Sequence, residues 1–351
     1  MSIRLFKYLS PLIMYAAAWA AFTLDGAWVF LPLVYAFVFI PGAELFYKPV
    51  SKNLTQAEEE MAKKNRLYDW MLYIIVPLQY AALVYFLYSV STSNLLWWEI
   101  VGRTLSMGLL CGTFGINVAH ELGHRNKKYE QVLAKMLLAT SLYMHFFIEH
   151  NKGHHKNVAT PKDPSSARRG EPLYFFYVRT ILFSYLSAWH IANEEMRKKG
   201  KAVYSLSNEM LQSQLWQLLL VVIIYLKFGG LPALLFVTAA FAGALLLETV
   251  NYIEHYGLQR KETTPGKYER AMPMHSWNSS HPLGRIMLFE LSRHSDHHYL
   301  ASRPYQILRH QDEAPQLPTG YPGTMILSLF PPLFFKVMDR KIAAILENSE
   351  S

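Results

Sequence analysis

The sequence predicts an all-α integral membrane protein, with six transmembrane helices carrying a histidine-rich site on the cytoplasmic side. Three observations lead there. Of 351 residues, 52% are hydrophobic and 17% charged, whereas a soluble domain carries about a quarter charged residues. Apolar runs near the ~20 residues that cross a bilayer recur along the chain. Finally, nine of the 14 histidines crowd into four short windows.

The spans are expected at about residues 8–24, 28–47, 67–90, 97–118, 211–228 and 231–253. The N-terminal stretch has a short apolar run with no small-residue cleavage site behind it, so it reads as a retained first helix rather than a signal peptide. Asp25-Gly26, residues 91–94 and Gly229-Gly230 are short connections almost without positive charge, which makes three hairpins. Lysine and arginine gather on the other side: Arg4 and Lys7, then Lys48, Lys52, Lys63, Lys64 and Arg66, then Arg125, Lys127 and Lys128. The positive-inside rule places both termini in the cytoplasm, and the expected location is the inner (cytoplasmic) membrane. Within the fourth span, Arg103 follows Glu99 by four residues, the spacing of a helical ion pair. Residues 132–148 and 173–191 are also apolar, but are expected to lie at the interface or re-enter rather than cross. The whole chain, 1–351, then forms one membrane-embedded catalytic domain, with its catalytic segments at about 119–210 and 254–351.

Composition removes several function classes. Net charge is 34 minus 26, or +8, spread over loops rather than along one basic stripe, which disfavours nucleic-acid binding. The single cysteine, Cys111, excludes disulfide scaffolds, iron–sulfur clusters and thiolate zinc sites within this chain.

The histidine windows are His120 and His124 in HELGH, His150, His154 and His155 in HNKGHH, His255 in NYIEHYGL, and His294, His297 and His298 in HSDHH. On an α-helix, residues four apart share a face, so 120 with 124, 150 with 154 and 294 with 298 each make a two-toothed metal clamp. Nine imidazoles exceed the coordination of one ion but suit two, so the count points to a dinuclear centre. One shared site also requires all windows on one side of the membrane, so residues 132–148 should not cross. Glu121, Glu149, Glu254, Asp296 and Asn251 adjoin the ligands and are candidates to fix imidazole tautomers through the other ring nitrogen. His145, His190, His275, His281 and His310 stand outside the windows and are read as ordinary hydrogen-bonded residues.

Three chemistries compete for this set. HELGH fits HExxH, in which a glutamate serves as general base beside a two-histidine zinc site, but an intramembrane zinc protease would leave seven histidines unused. A metal transporter or store would want ligands near the bilayer midplane. Iron uses all nine, with open positions on two ions available to O₂.

HELGHR, EHNKGHH followed by VATPKDPSSARRGE, NYIEHYGLQR, HSWNSSH, RHSDHH and LPTGYPG together resemble the membrane-bound alkane 1-monooxygenase (alkane omega-hydroxylase) family. That family belongs to the histidine-box di-iron membrane enzymes, alongside fatty-acyl desaturases and xylene monooxygenase. The matching motifs run from about residue 117 to 323; departures are NVA before HELGH, where a Thr-Gly pair is common, and Ser292 where glutamine is frequent. The resemblance implies two non-haem iron ions held by the nine histidines and O₂ as co-substrate. It also implies terminal hydroxylation of an n-alkane drawn from the lipid phase, with electrons from rubredoxin and its NADH-dependent reductase. Desaturation and aromatic side-chain hydroxylation share the histidine set and remain the alternatives within the group.

Overall fold

The computed structural model describes residues 3–350. They are mostly helical, apart from a short antiparallel hairpin of Glu262–Thr264 with Lys267–Tyr268 and an isolated bridge between Asn278 and Gln316. Among them, four helices are long and apolar enough to cross a membrane: Gly26–Glu44, Leu67–Thr92, Glu209–Phe228 and Gly230–His255. The two other expected spans are helical but interrupted or short. Residues 12–23 form a 12-residue α-helix, about 18 Å long at 1.5 Å per residue. Trp97–Leu110 continues into a π turn, Cys111–Ile116, before Asn117–Gly123. Residues 132–148 are not one helix, because the helix Lys128–Thr140 ends at a turn in which Leu142 has φ +48°.

The chain divides into two compact units. The first comprises residues 1–38, 66–153 and 185–247. Tyr15, Gln79 and Thr140 pair in its buried interior, as a low dielectric favours: Tyr15 donates to Gln79 Oε1 at 2.9 Å, and Gln79 Nε2 reaches Thr140 Oγ1 at 3.3 Å. Two helices approach closely through glycines. A Cβ on Gly243 would lie 2.6 Å from Cys111 Cβ and 2.9 Å from Gly112 N, and one on Gly112 would lie 2.9 Å from Gly243 O. This is the small-residue packing by which membrane helices gain dispersion contacts without a hydrophobic drive. Gly229, at φ +92°, makes the tight turn between Glu209–Phe228 and Gly230–His255. Arg103 departs from the helical ion pair that its spacing predicts. Its buried guanidinium bonds Asp25 Oδ1 at 2.9 Å and Ser89 O at 3.1 Å, while Glu99 accepts from Gly26 N and Leu96 N. Asp25 and the Ser89 carbonyl at the hairpin ends, together with backbone N–H donors at Gly26 and Leu96, offered both charges better partners than each other.

The second unit comprises residues 39–65, 154–184 and 248–351. Arg179 holds the loop after HNKGHH by a two-pronged bond to Glu171, both contacts at 2.7 Å, and by donating to Pro164 O and Ser166 O. Tyr252 donates to Glu171 O, tying the same loop to the helix that ends in His255. Asn278 accepts from Ser295 N at 2.8 Å and donates to Ser295 Oγ at 2.7 Å, bracing the HSDHH helix from HSWNSSH. Trp277, 1% exposed, donates to Tyr256 O.

Candidate metal centre

Within the second unit, His154, His255, His294 and His298 bring their ligand atoms within 4.8 Å of one another, all buried. The Nε2 atoms of His154 and His298 are 3.2 Å apart, those of His255 and His294 3.2 Å, and those of His294 and His298 2.8 Å. Ligands at ~2.0–2.1 Å from one ion are separated by roughly 3 Å, so four imidazole nitrogens at these spacings have the geometry of a metal's first coordination sphere. The all-imidazole donor set suits iron, zinc, copper or nickel. In the same unit, His155 Nε2 lies 3.1 Å from His297 Nε2.

The first unit supplies a further group. His120 and His124, on Asn117–Gly123 and its C-cap, meet His150: ring centroids are 4.4 Å apart for 120 and 150, and Nε2 of 124 lies 3.1 Å from Nε2 of 150. Phe146 stacks on His150 with centroids 4.7 Å apart. The expected clamp of His150 with His154 does not form. Residues 150–154 make a π turn, and the two rings meet different partners: His150 Nε2 lies 3.1 Å from His124 Nε2, and His154 Nε2 lies 3.2 Å from His298 Nε2. His150 therefore joins one group and His154 the other.

Burial tunes these rings for ligation. It pushes the His155 pKa down to about 3, and His298 well below the usual imidazole range, with neighbouring histidines adding to both. A neutral imidazole is the form that donates a lone pair to a metal.

The acidic neighbours differ in what they touch. Glu254 lies 3.2 Å from His294 Nε2 and accepts from Tyr321 Oη at 2.7 Å. Asn251 donates to Glu248 at 3.1 Å. Asp296 gathers Arg303 Nη1, the Arg309 amide and the Gln311 side chain, so it organises the loop beyond the HSDHH helix. Glu121 takes Arg125 at 2.7 and 3.1 Å, and Arg125 also reaches Asp69. Glu149 folds over Gly153, where a Cβ would come within 2.6 Å of its Oε1. A further acid that meets one of these histidines was not among the candidates read from the sequence. Asp163, in ATPKDP, is wholly buried, and its Oδ2 lies 2.9 Å from His154 Nδ1. Burial works to raise the Asp163 pKa, but His154 and the Ser166 hydroxyl outweigh it and hold the group ionised. An acid nine residues after His154, in a loop closed by proline, was the available signal.

Histidines outside the windows stay outside both groups. His145 packs between the rings of Tyr143 and Tyr185, and burial lowers its pKa to about 4. His275 Nδ1 accepts from Met272 N, His281 meets Ser279 Oγ, and His310 meets Ser280 Oγ.

Residues 96–326 match the fatty acid desaturase family model. The chain therefore belongs to the fatty acid desaturase family, a class of oxidoreductases. The alkane 1-monooxygenase of Pseudomonas putida is 39% identical over 335 residues, covering 92% of this chain and 83% of that protein. The alkane 1-monooxygenase of Ectopseudomonas oleovorans is 42% identical, covering 80% and 70%. The hydroxylase component of a xylene/toluene monooxygenase from Pseudomonas putida is 31% identical, covering 68% and 63%. Within the broad family, this chain is accordingly a member of the alkane 1-monooxygenase group of enzymes.

Proposed function

We propose that this protein hydroxylates the terminal carbon of linear alkanes with O₂ at a non-haem di-iron centre, taking electrons from rubredoxin and its NADH-dependent reductase. The observation that carries this reading is the convergence of four imidazole nitrogens at 2.8–3.2 Å in a chain about 40% identical to alkane 1-monooxygenases. His154, His255, His294 and His298 are the ligand set of one ion. His120, His124, His150, His155 and His297 are left for the second. Six crossings of the inner membrane with both termini cytoplasmic put this centre on the rubredoxin side.

Bound iron would supply the reduction of O₂ that inserts one oxygen atom into a C–H bond and releases the other as water, consuming two electrons and two protons. The protein's own contribution is positional. Asp163 keeps the His154 proton on Nδ1, leaving Nε2 as the ligand atom. The Arg179–Glu171 pair fixes the loop that carries Asp163, and Phe146 holds the plane of His150. An alkane offers no polar handle, so a dry, narrow channel must present it end-first for attack to fall on the methyl group rather than on weaker internal C–H bonds.

The xylene/toluene relative keeps side-chain hydroxylation as a second reading. A zinc protease is disfavoured because Glu121, its required base, is engaged by Arg125. Gas chromatography of products from octane, hexadecane and a saturated fatty acyl substrate, in membranes supplied with rubredoxin and reductase, tests the proposal. Primary alcohols are expected; secondary alcohols would refute end-on presentation, and an alkene from the acyl substrate alone would identify a desaturase.

A further inference from the structure

Within the first unit, a cavity of about 520 Å³ opens between the helices Lys128–Thr140, Ile75–Thr92 and Glu209–Phe228. Its walls change character along their length. Lys135, Glu209, Gln212 and Ser213 stand at one end, while Met136, Trp216, Leu219 and Ile223 line the apolar remainder. From Gln212 to Ile223 is eleven residues of helix, about 16 Å, or roughly half a bilayer's hydrocarbon core. We propose that this groove is a binding site for a long-chain primary alcohol, the product of the proposed hydroxylation, on its way from the metal centre to the lipid.

Three features select that occupant. The charges at the polar end cancel: Lys135 pairs with Glu209 at 2.5 Å, and Lys152 bridges Glu195 at 2.7 Å and Glu209 at 3.5 Å. Two lysines thus meet two glutamates, a cluster suited to an uncharged hydrogen-bonding head rather than to a phosphate. The volume is that of a single small-molecule site, and a two-chain phospholipid would leave one chain outside it. At the polar end Gln212 Nε2 already donates to Leu206 O and Ser213 Oγ to Glu209 O, so these side chains offer a ligand their accepting oxygens, which the O–H of an alcohol can use and an alkane cannot.

The groove also adjoins the histidines of its own unit. Lys135 Nζ sits 4.6 Å over the Phe147 ring, and Cδ2 of that ring lies 3.5 Å from where a Cβ on Gly123 would stand. Gly123 lies between His120 and His124, so one aromatic ring separates the polar end of the groove from the helix bearing those two ligands.

The inference rests on the proposed reaction, but its test needs no turnover. Purified metal-loaded protein in lipid nanodiscs is titrated with a bromine-tipped dodecanol, and the quenching assigned to Trp216 is obtained by difference from Trp216→Phe. The expected result is saturable quenching that plain dodecanol displaces and dodecane displaces at least tenfold less well, a ratio worth about 1.4 kcal/mol, one hydrogen bond. Ala139→Phe, which fills the groove, should abolish the saturable phase, and Gln212→Leu should weaken it. Quenching that only rises linearly with the amount of alcohol in the bilayer, or equal displacement by dodecane, would overturn the proposal. So would a co-purified phospholipid that dodecanol fails to displace. Saturable alcohol binding by a chain that makes no primary alcohol would instead refute the proposed reaction and leave the site standing.

Discussion

Replacing Asp163 by asparagine should loosen one metal ion while leaving the fold in place. Asp163 Oδ2 accepts from His154 Nδ1 at 2.9 Å and from Ser166 Oγ at 2.5 Å, and Oδ1 accepts from Ser165 N at 3.1 Å. Asparagine preserves the shape but has only one acceptor oxygen. If its NH₂ turns toward His154, Nδ1 must accept and the imidazole proton moves to Nε2, the ligand nitrogen. If its oxygen turns there instead, the NH₂ faces the Ser165 N–H, donor against donor. Either arrangement costs about 1–3 kcal/mol for a buried group, and loss of a ligand's orienting partner typically lowers metal affinity ~10–100-fold. The assay is competition for bound iron, or for cobalt as an optical probe, against a chelator of known strength. Asp163→Asn should release one ion at ~10–100-fold lower chelator concentration, with the thermal transition of the metal-free protein unchanged. Equal retention of both ions would show that the Asp163 contact does not set the His154 tautomer.

Other consequences follow from the packing and the charges. Gly243→Ala would put a Cβ 2.9 Å from the Gly112 backbone nitrogen and so push two helices apart, and should cost ~1–3 kcal/mol in detergent-titrated unfolding. Gly42→Ala, with nothing within 4 Å of its Cβ, should be neutral or gain up to ~1 kcal/mol. Glu59 has its pKa lowered from 4.5, first by its hydrogen bonds to Arg309, at 2.6 Å to each oxygen. Its contribution is therefore complete above pH 4.5 and lost as pH falls through the lowered value. With Arg309 partly in solvent this is worth about 1 kcal/mol, so Glu59→Gln should be less stable than the parent at pH 7 and draw level with it as the pH falls through the lowered value. The chain should show no turnover with NADH alone; with an acidic electron carrier at low concentration, turnover should fall as salt rises, because a net charge of +8 steers the encounter.

The histidine windows were legible because metal ligation leaves a spacing that chance rarely makes, and the 294/298 clamp closes at 2.8 Å as α-helical geometry dictates. The 150/154 clamp does not form because His150 meets His124 and His154 meets His298, partners brought in by tertiary packing that HNKGHH does not record. Asp163 was missed for a related reason. It reaches His154 only through a loop whose path is set by Arg179 and Glu171 and their tertiary contacts, which no local pattern records. Arg103 shows the same limit: its helical neighbour Glu99 was the visible partner, yet the bond goes to Asp25, 78 residues away. The apolar runs at 28–47, 67–90, 211–228 and 231–253 were readable from hydropathy alone, since a helix of span length and composition needs no tertiary information. The segment 132–148 was decided by a different kind of argument, the demand that all ligands share one side, and the turn at Leu142 interrupts it as a helix.

The central claim is that two irons sit among the nine clustered histidines. Metal analysis of the purified protein, paired with the same analysis of His294→Ala, tests it most directly. The account predicts two iron ions per chain, a loss of bound iron in the variant, and unchanged insertion in the membrane. One zinc and no iron, with metal binding indifferent to His294 and activity abolished only by Glu121→Gln, would contradict it.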